Sequence, residues 1–225
     1  MRYLVTGSQM RAIDQDTIQN IGIPSLVLME RAAECVARKA EQLCDQKTLQ
    51  ILAICGVGNN GADGVAAARM LYLHGFDVLV VVVGNEAHAT KEFEVQKGIA
   101  EKLEIPVVDW EHFLHGEDEQ KAGDCAIIDA VFGVGLSRDV EGTYAAVLDW
   151  INKAETEWVL AVDMPSGIHS DTGAVMGTAV KADVTVTFGY EKMGSALYPG
   201  RGYCGQTEVC DIGFPALSRK KAGAE

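Results

Sequence analysis

The sequence predicts an α/β fold, namely a three-layer, doubly wound and mostly parallel sheet that is Rossmann-like and preceded by a pair of helices. First, strand-like apolar runs alternate with helical patterns along the chain from about residue 49 onward. Second, several of these runs are continuous stretches of β-branched residues, which is typical of strands that helices cover on both faces. Alternation of this kind implies right-handed crossovers between parallel strands.

The N-terminal part of the chain, from about Ser8 to Asp45, is predicted to form two helices. The first carries an apolar stripe at helical spacing and ends at Gly22, and Pro24 lies near the start of the second. Strands are predicted at 49–55, 77–83, 125–132, 158–164, 184–189 and 207–213, with a weaker candidate at 105–109. Helices between them are predicted at 62–74, 90–103 and 143–153. We expect residues 1–215 to form a single domain, followed at 216–225 by a disordered tail or the start of a linker.

The composition argues against several classes of protein. A chain of 225 residues with 48% hydrophobic and 23% charged content is typical of a globular domain with one sizeable core. No apolar run approaches the roughly 20 residues of a membrane-spanning helix. The N-terminus lacks the apolar segment of a secretory signal, so we expect a cytoplasmic protein without a membrane partner. The net charge of −13 argues against nucleic acid as a partner.

Six cysteines are scattered along the chain, with neither a CxxC pair nor the Cys/His spacing of a zinc site. Cys55 and Cys125 fall in apolar strand-like runs, where a small buried thiol is the expected structure. Nothing in the spacing requires an oxidising compartment.

Three loops with unusual residues follow predicted strands. They are "GVGNNGADG" at 56–64, "DAVFGVGLSRDVEG" at 129–142 and "VDMPSGIHSDTG" at 162–173. Because ligands bind at the carboxyl ends of the strands in an open parallel sheet, we expect the three loops to converge on one rim.

The first loop contains GxGxxG, the fingerprint of loops that hold the phosphates of a dinucleotide with backbone N–H groups. The alternative is a tight strand-to-helix turn with an asparagine at positive φ and Asp63 as a helix-start residue. A hydride-transferring site would also carry an acidic residue at the end of the next strand, and Glu86 matches that position poorly because it lies beyond a glycine. The Lys–Ser/Thr pair of a Walker A loop is missing, which argues against ATP hydrolysis of that type.

The second and third loops place Asp129 and Asp163 at strand ends. A carboxylate there serves as an acid/base group, a ribose anchor or a cation ligand, and the alternative for each is a turn or cap acceptor. Together with Asn60 and Ser166 they form an oxygen-only set, which suits an oxygen-preferring cation rather than zinc, copper or iron. Lys192, just past a strand, either meets a phosphate or the reacting centre or is an exposed surface lysine.

The combination of these loops resembles the NAD(P)H-hydrate epimerase family, also described as the YjeF N-terminal domain family. The segments that carry the resemblance are "GNNGADG" (58–64), "DAVFGVGLSRDVEG" (129–142), "VDMPSG" (162–167) and "FGYEKMG…YPGRG" (188–202), with "MRAIDQDTIQNIGIPSLVLMERAA" (10–33) in the N-terminal helices. The resemblance covers the chain from about Ser8 to Pro215. The family usually shows proline in place of Val57 and glycine in place of Ala62, and we expect binding to be retained despite both departures.

The resemblance implies an isomerase that interconverts the R and S epimers of hydrated NADH and NADPH, so that a separate dehydratase, which repairs only the S form, can use both. It also implies a homodimer with one potassium ion per subunit, held by Asn60, Asp129 and Ser166. In many bacterial relatives a dehydratase domain follows at about the end of this sequence. The implied substrate-binding residues are Asn59, Asn60, Gly61, Ala62, Asp63, Gly133, Val134, Gly135, Leu136, Ser137, Arg138, Asp139 and Asp163.

The chemistry of such a substrate fits these residues. Its stereocentre is a hemiaminal, so loss of hydroxide gives an iminium ion and return of water on the other face inverts the centre without redox. The reaction requires an acid for the leaving hydroxyl, a base for the returning water and negative charge near the iminium ion. We predict Asp163 as the catalytic acid/base group, with Lys192 as its helper. The alternative is a non-catalytic nucleotide-binding or scaffold module on the same fold, and the intact polar loop residues favour catalysis.

Overall fold

The computed structural model describes residues 3–44, 49–116 and 125–224. The strands are β1 (Leu4–Val5), β2 (Gln50–Gly56), β3 (Asp77–Val83), β4 (Val107–Asp109), β5 (Cys125–Ala130), β6 (Thr156–Val162), β7 (Val184–Phe188), β8 (Glu191–Lys192) and β9 (Gln206–Cys210). The helices are α1 (Gly7–Gln15), α2 (Ser25–Leu43), α3 (Asn59–Leu73), α4 (Lys91–Lys102), α5 (Trp110–His115), α6 (Gly142–Lys153), α7 (Met193–Ala196) and α8 (Ala216–Lys221). Within the described ranges, no helix combines the length and the apolar character needed to cross a membrane.

Seven strands form one parallel sheet in the order β4-β3-β2-β5-β6-β7-β9, which confirms the predicted doubly wound architecture. The chain runs outward from β2 to β4 and then returns to place β5 on the other side of β2. The direction of winding therefore reverses between β2 and β5. At such a switch point the loops on the two sides diverge, and the crevice between them is where open α/β sheets bind ligands. β1 and β8 pair in a small parallel sheet of their own.

Helices cover both faces of the large sheet, as the continuous apolar runs predict. Successive residues of a strand point to opposite faces. In β2, Ile51 and Ala53 pack with α2, α3 and α4, whereas Leu52 and Ile54 pack with α5 and α6, and all four are fully buried. A strand in this position buries every side chain, so its sequence shows no alternation.

The N-terminal helical pair is present as well. The Thr6 hydroxyl accepts a hydrogen bond from the N–H of Gln9, whose side chain accepts one from the N–H of Thr6, and this reciprocal pair caps α1. The chain continues in a π-helical turn, Asp16–Ile21, that ends at Gly22 with a φ of 91°. Since α2 begins directly after Pro24, the predicted break between the two helices is confirmed.

Two predicted boundaries are shifted at the loops that follow β2 and β6. α3 begins at Asn59, three residues before its predicted start, because Gly58 takes an extended conformation and begins the helix directly after the strand. β6 ends at Val162, two residues before its predicted end. The reason is that Asp163 has a left-handed φ of 66°, which is incompatible with a strand.

The end of the chain is helical over α8, where the sequence predicts a disordered tail. The Ser218 hydroxyl donates to Asp16 Oδ2 at 2.7 Å and the Lys221 ammonium donates to Asp16 Oδ1 at 2.9 Å. The guanidinium of Arg219 lies 3.8 Å from the centre of the Tyr3 ring. The partners of α8 lie near the N-terminus, and Asp16 precedes Ser218 by 202 residues, so no local sequence pattern reveals these contacts. The prediction of disorder is therefore wrong for α8.

A disulfide joins Cys35 of α2 to Cys210 of β9 across 175 residues, with the two Cα atoms 6.4 Å apart. No spacing pattern in the sequence indicates this pair. Cys55 and Cys125 are fully buried, as predicted.

Candidate functional site

A cavity of about 890 Å³ opens at the carboxyl ends of β2, β5 and β6, beside the switch point of the sheet. All three predicted loops contribute to its walls, which confirms that they converge on one rim. The predicted site residues that line the cavity are Asn59, Asn60, Asp63, Gly133, Val134, Gly135, Leu136, Ser137, Arg138, Asp163 and Lys192.

Three of the predicted substrate-binding residues do not line the cavity. A side chain at Gly61 would overlap the backbone of Gly56, so this glycine allows α3 to begin tightly against β2. Ala62 is fully buried and has no positive φ, so alanine replaces glycine there without backbone strain. Asp139 is exposed to solvent.

The first loop turns directly from β2 into α3 and leaves the start of the helix open. Gly58 is the N-cap residue and provides no side-chain cap, and a side chain at this position would meet no atom within 4 Å. The N–H groups of Asn59, Asn60 and Gly61 begin the helix and have no intrahelical acceptors. Neither asparagine has a positive φ, so the alternative of a simple tight turn is wrong in that respect. This positive end of the helix, with Arg138 on the same cavity, suits an anionic group.

Asp163 and Lys192 form a buried ion pair at the cavity. The Lys192 ammonium donates to Asp163 Oδ1, to Thr187 Oγ1 at 2.9 Å and to the Phe188 carbonyl at 3.1 Å. The same Asp163 Oδ1 accepts from the Thr187 hydroxyl at 3.1 Å and from the Phe188 N–H at 3.2 Å. Lys192 is 1% exposed, so the alternative of a surface lysine is wrong. All these donors contact Oδ1, and within the described structure none contacts Oδ2.

Asp129 and Ser166 lie in contact behind the cavity wall, and both are fully buried. Asp129 accepts from the Ser166 N–H at 2.8 Å, from the Ser166 hydroxyl at 2.6 Å and from the Val131 N–H at 3.3 Å. The Phe132 N–H donates to Ser166 Oγ at 2.8 Å. Burial raises the pKa of Asp129 to about 6, although its hydrogen bonds to Ser166 and Val131 act in the opposite direction.

Asn60 completes the predicted cation set on the neighbouring turn. Its side chain lies against Gly133, where a Cβ atom would be 2.7 Å from Asn60 Oδ1. Asn60 Nδ2 is buried and lacks a hydrogen-bond partner among the described residues. One carboxylate, one hydroxyl and one amide carbonyl oxygen make an oxygen-donor set, which suits an oxygen-preferring cation. The part of the chain that the structure describes contains no group of three or more His, Cys, Asp or Glu side chains suited to a metal.

Asp63, in the second turn of α3, faces the cavity with a carboxyl that lacks hydrogen-bond donors in the described ranges. Asp63 is partly exposed to the cavity, and the rest of its side chain is surrounded by protein. Burial raises the pKa of Asp63 well above its ordinary value, and the charges of Asp163 and Asp14 raise it further, whereas Lys192 lowers it.

One part of the cavity wall, built by α1, α2 and α4, was not predicted from the sequence. Asp14 of α1 and Glu92 of α4 line the cavity, and the Ser25 hydroxyl of α2 donates to Glu92 at 2.8 Å. Burial, and then the charge of Glu92, raise the pKa of Asp14. A polar residue on an amphipathic helix carries no signal of its own, because ordinary solvent-facing positions look the same. Further lining residues that were missed are Arg11, His88 and Tyr144.

Comparison with known proteins places these observations in a family. The sequence profile of the family described as "YjeF-related protein N-terminus" matches residues 25–194. The chain is 48% identical over 207 residues to the NAD(P)H-hydrate epimerase of Limosilactobacillus fermentum, covering 92% of this chain and 95% of that protein. It is 42% identical over 210 residues to the NAD(P)H-hydrate epimerase of Oenococcus oeni, covering 93% and 96%.

Two further similarities concern architecture. The chain is 39% identical over 211 residues to a bifunctional NAD(P)H-hydrate repair enzyme of Thermofilum pendens, covering 92% of this chain but 40% of that protein. The crystal structure of the yeast protein ynu0 matches with a TM-score of 0.82 at 22% identity, covering 99% of this chain and 94% of that one, which supports the fold. The profile match, the relatives and the fold agree: this chain belongs to the family of YjeF-related protein N-termini.

Proposed function

We propose that this protein is an NAD(P)H-hydrate epimerase, which interconverts the R and S epimers of hydrated NADH and NADPH. The observation that carries the proposal is a cavity at the switch point that combines an open helix N-terminus with a buried Asp163–Lys192 pair. The relatives named NAD(P)H-hydrate epimerase, at up to 48% identity over almost the whole chain, support it.

The substrate is a dinucleotide, and its diphosphate matches the start of α3. The N–H groups of Asn59 to Gly61 offer hydrogen bonds to anionic oxygens without a basic side chain. Arg138 adds a positive charge at the same cavity. The strongly acidic chain thus binds an anion through a local site.

The reaction needs acid/base groups and negative charge at the hydrated ring. Asp163 lies at the cavity, and no described residue donates to its Oδ2, so this oxygen is available to the hydroxyl or the water of the reaction. The ammonium of Lys192 contacts the carboxyl group of Asp163 as a buried partner. Asp163 is therefore the acid/base residue of this proposal, and Lys192 holds its carboxyl group in position.

One potassium ion per subunit belongs to the proposal, with Asn60, Asp129 and Ser166 as its holders. The oxygen-only donor set supports it, with Asn60 Oδ1 against Gly133 and Asp129 hydrogen-bonded to Ser166. When bound, the ion would supply a fixed positive charge beside the second loop. The chain's own contribution is to hold Asp129, Ser166 and the turn at Phe132 in one hydrogen-bonded unit.

We also infer a homodimer in the cytoplasm and a dehydratase that acts on the S epimer. The bifunctional repair enzyme of Thermofilum pendens, of which this chain spans 40%, supports a dehydratase as partner domain or partner protein. The family resemblance supports the homodimer.

The test is an epimer-exchange assay. Purified R-form NADH hydrate is incubated with the protein and potassium, and the two epimers are resolved by chromatography over time. We expect exchange well above the spontaneous rate and its loss in Asp163→Ala. Unaccelerated exchange with ligand binding intact would contradict the proposal and favour a non-catalytic nucleotide-binding module.

A further inference from the structure

The cavity contains two aspartates with opposite surroundings. Asp163 accepts hydrogen bonds from a hydroxyl, an N–H group and an ammonium. The carboxyl group of Asp63 accepts no hydrogen bond from any residue that the structure describes. The charged groups that face it are Asp163 from the end of β6, Asp14 from α1 and Lys192 from β8, and Glu92 of α4 lies beside Asp14. Two of the three facing groups are carboxylates, so the surroundings of Asp63 favour the protonated acid.

The two aspartates also approach the cavity from different sides. Asp63 belongs to the helix that follows β2, and Asp163 follows β6 directly. β2 and β6 both pair with β5, on its two opposite edges. Neighbouring strands lie about 4.8 Å apart, so β2 and β6 are about 10 Å from each other at the rim. Both side chains line the same cavity, which Asp63 reaches from the second turn of α3 and Asp163 from the turn directly after β6.

We propose that Asp63 and Asp163 form an acid–base pair, in which Asp63 protonates the hydroxyl that leaves one face of the hydrated nicotinamide ring and Asp163 takes a proton from the water that adds to the opposite face. This inference rests on the proposed function and adds a catalytic residue to it. Inverting glycosidases use the same division of labour around a cationic intermediate, with carboxyl groups about 6.5–9.5 Å apart to admit a water molecule.

The proton and electron balance is complete within the site. The Asp63 proton passes to the ring hydroxyl, the C–O bond breaks with its electron pair on oxygen, and the lone pair of the ring nitrogen forms the C=N bond of the iminium. Water then forms a new C–O bond on the other face, the C=N pair returns to nitrogen, and the released proton passes to Asp163. In the opposite direction Asp163 is the acid and Asp63 the base. Transfer of one proton between the two aspartates, through solvent, restores the starting state.

The charges favour this order. Once Asp63 has lost its proton, its carboxylate faces the iminium cation, so the interaction is stronger in the intermediate than with the neutral substrate. Lys192 remains in contact with the Asp163 carboxyl throughout and holds it at the cavity.

The test is the pH profile of R-to-S conversion at saturating substrate, with the spontaneous rate subtracted. In the wild-type protein we expect activity to fall on the alkaline side as Asp63 loses its proton. Asp63→Asn should lower kcat by about 100-fold or more, the usual contribution of a general acid, and the residual activity should lack the alkaline fall. Asp63→Glu, which restores an acid, should retain the alkaline fall.

The controls separate this role from binding and from folding. Asp77→Asn, an exposed aspartate at the start of β3, makes the same chemical change away from the cavity and should leave kcat unchanged. Asp63→Asn should be at least as heat-stable as wild type, because the Asp63 carboxyl has no donor among the described residues and faces the like charges of Asp163 and Asp14. A raised KM with unchanged kcat, or an alkaline fall that persists in Asp63→Asn, would overturn the inference while the epimerase proposal stands. A wild-type protein that does not accelerate exchange would refute the proposed function and this pair with it.

Discussion

Replacing Lys192 with methionine tests whether the Asp163–Lys192 pair is a structural necessity as well as part of the site. Methionine keeps the length of the buried side chain and removes its charge and donors. The Lys192 side chain is 1% exposed and that of Asp163 is 10% exposed, so solvent cannot replace the lost ammonium. Asp163 would keep the Thr187 and Phe188 donors but lose its counter-charge.

The magnitude follows from the burial of this pair. Removing one partner of a buried ion pair costs about 3–5 kcal/mol, because the remaining charge is left without compensation. For a domain of this size, a loss of 1 kcal/mol lowers Tm by about 2–4 °C, so we expect Lys192→Met to melt about 6–20 °C below wild type. Urea unfolding at neutral pH, followed by circular dichroism, gives the free energy of unfolding directly.

A double variant provides the matched control. Lys192→Met combined with Asp163→Asn removes both charges, and we expect it to recover most of the lost stability. It should remain inactive in epimer exchange, since the acid/base carboxyl is gone. A cost below about 1 kcal/mol for Lys192→Met, the range of an exposed ion pair, would refute this reasoning. A double variant that is no more stable than the single one would also refute it.

Three further predictions concern the first loop, α8 and the cation set. Gly61→Ala should lower the free energy of unfolding by about 1–3 kcal/mol, the range of an overpacked site, because its Cβ atom would overlap the Gly56 backbone. Gly58→Ala is the control, since its Cβ atom would meet no other atom, and it should cost clearly less when both variants are unfolded in urea. The pKa of Asp16 is lowered to about 2, first by the Ser218 hydrogen bond and then by those of Lys221 and Asn20. The ionised carboxylate therefore stabilises the folded protein at pH values above the ordinary pKa of 3.8, and this contribution is lost as the pH falls towards 2. The Tm difference between wild type and Asp16→Asn should therefore shrink over this interval, and a constant difference would contradict it. Replacing sodium with potassium should raise the Tm of wild type by preferential binding to the folded state, and equal Tm values, or an unchanged rise in Asp129→Asn, would contradict the cation assignment.

The sequence was sufficient for the seven strands of the large sheet, for the main helices and for their order, because these depend on local patterns, whereas the short elements β1, β8, α5, α7 and α8 were not predicted. Continuous apolar runs predicted the buried strands, and β3 begins and ends where the sequence places it. The convergence of the three loops followed from parallel connectivity alone. Predicted strand ends were wrong where the backbone leaves the extended conformation although the apolar pattern continues. At Asp163, for example, the left-handed φ ends β6 early.

The candidate site was predictable to the extent that its residues lie on those loops. Asp63, Asp163 and Asn60 were all placed at the rim by the sequence, and the structure brings them to one cavity. Asp14 and Glu92 were missed, because they lie on helices whose docking depends on the complete core. The sequence also did not decide whether Lys192 is exposed or buried, because this depends on neighbours that are distant along the chain.

The sequence by itself determined the class of fold, the positions of the strands of the large sheet and the rim at which the three loops converge. The tertiary structure decided which side chains meet there and which donors and charges surround each of them. It pairs Lys192 with Asp163, gives Asp63 no donor among the described residues, and docks α8 on Asp16 from the far end of the chain. The physical reason is that periodicity is encoded along the chain, whereas burial, hydrogen bonding and electrostatic interaction depend on neighbours in space that lie tens to hundreds of residues away.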